Sequence, residues 1–117
     1  MKKTIMLKKN YEFRRVLSKG KYYSGKYIEA FILNNNKDYN LLGLAISTKI
    51  AKAVRRNQIK RLIRENYKNL ENDMISGKSI VFLWKKSADI KNVNFLNVKE
   101  DMDNIFDKAN LKMNKGK

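Results

Sequence analysis

A single α+β domain is what this sequence predicts, and three observations carry that expectation. The chain has 117 residues, enough for one domain with a modest core and too few for two. Three segments repeat apolar residues at helical spacing, and four others are short runs of β-branched, aromatic or aliphatic residues. No internal repeat breaks the chain, and no proline marks a linker. The expected order is α-βββ-α-β-α, a four-stranded sheet with helices packed on it, over one domain spanning residues 1–117.

Each element has its own signal. Residues 1–9 are a basic arm, expected to be loosely held. Asn10 can cap a helix whose apolar positions are Tyr11, Phe13, Val16 and Leu17, and Gly20 closes it. Residues 21–33 are aromatic and β-branched, with Ser24-Gly25 as a bend between two strand pieces. Residues 34–38 (Asn-Asn-Asn-Lys-Asp) read as a hairpin loop, and residues 41–47 as a third strand. A long basic helix ends near Asn72, and Ser76-Gly77-Lys78 is a turn. Residues 79–85 form an unbroken apolar run, as expected of a strand inside the sheet. Residues 98–111 are the last helix, with Met102, Ile105, Phe106 and Ala109 inward, and residues 112–117 a frayed tail.

Charge narrows the function. The net charge is +16, which points to nucleic acid or an anionic membrane surface. It is concentrated in residues 1–64, with 17 basic and 3 acidic side chains. Lysines are scattered throughout, whereas all six arginines sit in two places: Arg14–Arg15, and Arg55, Arg56, Arg61 and Arg64. Arginine forks phosphates bidentately and stacks on bases, so this confinement is the sharper signal. At 100° per residue, Ile59, Leu62, Ile63, Tyr67 and Leu70 fall on one side of the basic helix. Asn57, Lys60, Arg61, Arg64 and Lys68 fall on the other, with no acid between Asp38 and Glu65 to neutralise them. A solvated face normally mixes signs, so the counter-charge is expected from a polyanionic partner.

Several chemistries drop out. With no cysteine and no histidine, there is no disulfide framework, no thiolate metal site and no histidine acid–base catalysis. The apolar stretches are too short for a signal peptide or a membrane span, so a soluble, cytoplasmic protein is expected. Glu100, Asp101, Asp103 and Asp107 are the densest acids; on the last helix 100, 103 and 107 share one face opposite Met102 and Ile105, and a solvated outer face explains them better than a weak metal site does. Neither catalytic nor metal-ligating residues are assigned. In the second strand piece, Ile28, Ala30 and Ile32 alternate with Tyr27, Glu29, Phe31 and Leu33. The latter set puts aromatics among charges, a surface suited to stacking unpaired bases. The first helix could instead cover it with Phe13, Val16 and Leu17, and both hold if the cover is partial.

The run Leu42-Gly43-Leu44-Ala45-Ile46-Ser47, then Lys49, then residues 52–65 (Lys-Ala-Val-Arg-Arg-Asn-Gln-Ile-Lys-Arg-Leu-Ile-Arg-Glu), resembles the signature of the protein subunit of bacterial ribonuclease P. Leu7-Lys8, Phe13, Val16 and Gly20 fit the same family, and the resemblance covers roughly residues 5–110. Gln58 stands where the family's motif usually has its second arginine. The resemblance implies a ribonucleoprotein endonuclease that removes the 5′ leader from precursor tRNA, with catalysis in an RNA subunit and Mg2+ held mainly by RNA. It implies RNA-subunit contacts at Lys52, Arg55, Arg56, Asn57, Lys60, Arg61 and Arg64. It implies a leader cleft at Phe13, Leu17, Tyr27, Glu29 and Phe31, with Leu17 where relatives often have a second aromatic. It also implies a left-handed β-α-β crossover, against the usual preference. The implied partners are the ribonuclease P RNA and precursor tRNA, with no membrane and no protein partner.

Three other functions compete. A ribosomal-type or chaperone RNA-binding protein would share the charge and the sheet but have no defined substrate. A nuclease acting without RNA is disfavoured by the missing histidines and scattered acids. A membrane-surface helix fits worse, because the apolar flank of the basic helix is needed for the core.

Overall fold

The computed structural model describes residues 4–113. Its elements are β1 (Thr4–Met6), α1 (Asn10–Lys19), β2 (Lys21–Ser24), β3 (Ile28–Asn34), β4 (Asn40–Leu44), α2 (Ala53–Glu71), β5 (Lys78–Trp84), a single 3-10 turn at Ile90–Asn92 and α3 (Phe95–Lys108). The sheet has five strands in the order β1-β4-β5-β3-β2, not the four expected, and the element order gains a strand before α1. The sheet is mixed: β1, β4 and β5 run parallel, while β3 is antiparallel to both β5 and β2.

The missed strand is short. Thr4-Ile5-Met6 lies in the arm expected to be loose, yet it pairs in register with Asn40, Leu41 and Leu42. Three residues are too few for an alternation signal, and the neighbouring lysines mask them. A side-chain contact anchors it, since the Thr4 hydroxyl is 2.7 Å from the Tyr67 hydroxyl of α2. At the other end, Lys112 pairs with Asp103 and Asp107 of α3, and the Met113 N–H donates to the Asp73 carbonyl. That end was expected to fray. Residues 1–3 of the arm and 114–117 of the tail lie outside the described residues.

Residues 34–38 do not form a hairpin, because β5 inserts between β3 and β4. β5 is therefore covered on both faces, as its unbroken apolar run implies. Ile80, Phe82 and Trp84 join Ile28, Ala30 and Ile32 in the main core under α2 and α3. Val81 joins Leu7 and Val16 in a smaller core under α1, with Phe13, Leu17, Phe31, Leu33 and Leu83 packed around it. The three layers are thus α1, the sheet, and α2 with α3. The parallel pair β4 and β5 is connected through α2, forming a β-α-β unit.

Local chemistry sets the helix ends. The cap of α1 is Lys9, not Asn10, and the Glu12 carboxylate reaches back to accept the Lys9 N–H at 3.2 Å. Gly20 closes α1 in an extended conformation (φ −73°), not the left-handed one of a glycine cap. α3 starts three residues earlier than expected because the Asn94 side chain accepts the Asn97 N–H at 2.8 Å.

Candidate RNA-binding surfaces

The helix α2 divides as its sequence periodicity requires. Ile59, Leu62, Ile63 and Tyr67 are buried, and Tyr67 meets Phe106 of α3 edge-on at 6.2 Å. The first buried position is Ile59, so the N-terminal turn and a half stands clear of the core. Lys52 caps this projecting end and Arg55 and Asn57 are exposed along it. Lys60, Arg61, Arg64 and Lys68 continue the outer stripe toward the C-terminus. No acid occupies the first turn, so the positive end of the helix dipole adds to the side-chain cations instead of being neutralised.

Three cations on this helix have partners. Arg61 reaches Glu65 one turn later at 3.6 Å, which qualifies the expectation of an unpaired row. Both side chains are largely exposed, and such a pair is worth well under about 1 kcal/mol, so Arg61 is readily drawn to a stronger anion. Arg56 is half-buried and donates to the Ala51 carbonyl at 2.8 Å, so it also ties down the loop before α2. Arg55 donates to Gln58 Oε1 at 3.0 Å. Gln58 thus holds a neighbouring arginine through an acceptor that an arginine at this position would lack.

On the opposite face of the sheet, α1 covers β3, β4 and β5 only in part. Phe13 brings its ring close against Gly43 of β4. A Cβ added at Gly43 would sit 2.5 Å from Phe13 Cε1 and 3.0 Å from Leu7 Cδ1, so only glycine lets the ring approach. Phe31 of β3 is half-buried and, like Phe13 and Leu17, packs on the small core of Leu7, Val16 and Val81. Tyr22 of β2 faces it across the strand pair, with ring centroids 5.2 Å apart. The Tyr22 hydroxyl donates to the Glu29 carboxylate, which holds the phenol above its ordinary pKa. An open hollow of about 470 Å³ follows, lined by Tyr22, Glu29, Lys85, Lys86 and Ser87. Phe13, Leu17 and Phe31 thus meet the same small core under α1, and Glu29 lies at the hollow that opens beside Tyr22, the cross-strand partner of Phe31.

Tyr27 does not join them. It precedes β3, and its ring stacks on Trp84 of the main core at 5.8 Å. Strand alternation holds only inside the strand, and a buried carboxylate bends the chain just before it. Asp101 of α3 is 1% exposed and accepts the backbone N–H groups of Lys26, Tyr27 and Ile28 at 3.0, 2.6 and 2.9 Å. A Cβ at Gly25 would lie 2.7 Å from its carboxyl carbon, so the clamp also requires that glycine. Asp101 is thus turned inward, apart from the acids at 100, 103 and 107. Tyr22, Lys85 and Lys86 were not singled out from sequence. Tyr22 could have been, since it stands opposite Phe31 once the two pieces around the Ser24-Gly25 bend are paired antiparallel.

A cationic helix stripe on one side of a small α+β sheet, with a partly covered aromatic groove on the other, defines an RNA-binding protein. The ribonuclease P family model matches residues 1–110. The ribonuclease P protein component of Clostridium botulinum (strain Loch Maree) is 37% identical over 106 residues, covering 90% of this chain and 94% of that protein. That of Clostridioides difficile is 34% identical over 110 residues, covering 93% and 95%. The solved RNase P protein of Staphylococcus aureus superposes with a TM-score of 0.81 at 29% identity, covering 92% of this chain and 96% of that one. The Thermotoga maritima RNase P protein gives a TM-score of 0.79 at 28% identity, covering 89% and 96%.

The chain belongs to the ribonuclease P protein family. Its function is tRNA 5′-leader processing together with the ribonuclease P RNA, as the protein part of a ribonucleoprotein endoribonuclease.

Proposed function

We propose that the outer face of α2 docks on the RNA subunit while the groove beside α1 holds the unpaired 5′ leader of precursor tRNA. One observation carries this reading: the two surfaces lie on opposite faces of the sheet, so both RNAs are held at once without competing for side chains. On the α2 side, Lys52, Arg55, Asn57, Lys60, Arg61 and Arg64 supply charge-assisted contacts to phosphates, and Arg56 shares its guanidinium with the loop. On the α1 side, Phe13 and Phe31 offer ring faces to bases, and Leu17 offers only apolar bulk. Tyr22, held by Glu29, fixes the rim, and Lys85 and Lys86 meet the leader phosphates where the groove opens.

The polypeptide's contribution is binding and screening. Its cations replace diffuse metal ions in offsetting repulsion between two RNAs, so the holoenzyme works at lower magnesium than the RNA alone. Among the described residues no group of three acids converges to hold a metal, and the Asp101 oxygens are taken by backbone N–H groups. The proposal accordingly leaves Mg2+ on the RNA and routes no chemical step through the protein. No helix among the described residues is long and apolar enough to cross a membrane. The proposed place of work, alongside precursor tRNA, is the cytoplasm.

The test is to replace Phe31 with Leu and measure holoenzyme affinity for precursor and mature tRNA. Loss of one base stack, about 1–3 kcal/mol, weakens precursor binding roughly five- to a hundredfold while mature tRNA and RNA-subunit binding hold. Equal weakening for both tRNAs rules out the leader groove at this position.

A further inference from the structure

Arg14 and Arg15 form one of only two arginine clusters in the chain, and neither surface described so far uses them. Both are exposed, and neither side chain has a hydrogen bond or ion pair among the described residues. Adjacent helix positions differ by about 100°, so the two guanidiniums sit on opposite shoulders of α1. Arg14 is on the shoulder of Leu17, three residues on. Arg15 is on the other shoulder, where it lines a separate cleft of about 330 Å³.

That second cleft has the fittings of a nucleotide seat. Its floor is Leu7, Val16, Leu33 and Leu41, continuous with the apolar layer under the first groove. Tyr11 stands 62% exposed at the rim; the Lys9 ammonium sits over its ring at 5.9 Å from the centroid, and a base stacks on the other face or displaces that lysine. Across from it the loop between β3 and β4 brings Asn36 and Lys37. That loop is preformed: Asn35 accepts the Lys37 N–H at 2.8 Å and donates to the Tyr39 carbonyl and to Ser79 Oγ. Asn36 is exposed, with left-handed backbone (φ 59°). The one acid among the described lining residues, Glu12, accepts the Lys9 N–H at the start of α1, and two cations, Arg15 and Lys37, stand against it to favour a phosphate. The volume is at the small end of ligand sites, suited to one nucleotide.

We propose that this cleft is a second seat for the precursor's 5′ leader. It takes one unpaired nucleotide upstream of those in the Phe13–Phe31 groove, and Arg14 and Arg15 grip phosphates as the strand crosses α1. The crossing spans one helix diameter, about 10–12 Å, so the seat is reached only by leaders a few nucleotides longer than the first groove needs. The inference rests on the leader reading above.

The experiment measures binding of reconstituted holoenzyme to precursor tRNAs with leaders lengthened one nucleotide at a time. Wild type should show a second gain in affinity, about five- to twentyfold, beyond a threshold length. Arg15→Ala and Tyr11→Leu should abolish that second gain while short-leader precursors, mature tRNA and the RNA subunit bind as before. Arg15→Lys should retain part of it. A persisting gain in both variants overturns the second seat alone. Equal weakening of short and long leaders, or weaker RNA-subunit binding, overturns it in favour of general charge or of an RNA-subunit contact. Phe31→Leu separates the layers: if it leaves short-leader binding intact, the first groove falls and this proposal with it.

Discussion

Replacing Gly43 with Ala tests whether the first groove depends on a ring seated against bare backbone. The added methyl would lie 2.5 Å from Phe13 Cε1, whereas carbon–carbon contact is comfortable near about 3.5–4.0 Å. The ring must retreat by roughly 1 Å, and overpacking of that kind costs about 1–3 kcal/mol. Leu7 Cδ1, at 3.0 Å, is a flexible end that can turn away. In a Phe13→Leu background the main obstacle is gone, so the same methyl should cost well under about 1 kcal/mol. A double-mutant cycle by urea unfolding should thus give a coupling energy above about 0.5 kcal/mol, the scale at which independent sites cease to add. Precursor affinity should fall several-fold in Gly43→Ala with mature tRNA unchanged, because the Phe13 ring is displaced from its seat in the proposed groove. Additive unfolding energies, or a destabilised variant with full precursor affinity, would refute the close approach as the device that positions Phe13.

Arg64→Ala should weaken RNA-subunit binding by about 1.5–3 kcal/mol and flatten its salt dependence without moving the melting temperature. Arg56→Ala should lose both binding and stability, since that side chain also holds the Ala51 carbonyl; filter binding beside a melting curve distinguishes the two. Asp101→Asn turns an amide donor toward backbone donors and should destabilise the fold by about 1–3 kcal/mol in urea unfolding. Tyr67 is buried, and that burial pushes its hydroxyl pKa up to about 12 from the ordinary 10.0. The native state then keeps a proton that the unfolded chain releases. Its contribution is complete below pH 10 and lost as pH rises toward 12, up to about 2–3 kcal/mol. Tyr67→Phe should accordingly flatten the alkaline fall in stability, and an unchanged slope would contradict the assignment.

Long, strongly periodic segments were legible in the sequence. The buried and exposed flanks of α2 and the central position of β5 both follow from apolar spacing over several turns or a whole strand. What the sequence hid was short or non-local. β1 is three residues long and is held by pairing with Asn40–Leu44 and by Tyr67, more than sixty positions away. The separation of β3 from β4 depends on a strand forty residues downstream inserting between them. Tyr27 turned away from the groove because Asp101, distant in sequence, clamps the preceding bend. Within the candidate site, alternation and helix spacing put Phe13, Leu17 and Phe31 on facing surfaces, while the leader cleft itself rests on the family resemblance. Tyr22 joins them once the two pieces around the Ser24-Gly25 bend are paired antiparallel, which sets it opposite Phe31.

The central claim is that this polypeptide binds and positions RNA while an RNA partner cuts. Its most direct test is cleavage of precursor tRNA at low magnesium by three samples: rigorously RNA-free protein, the ribonuclease P RNA from the same organism alone, and the two together. The account predicts no cleavage by the protein, slow cleavage by the RNA, and fast cleavage at the leader junction by the mixture. Cleavage by the RNA-free protein, or a mixture no faster than the RNA alone, would contradict it.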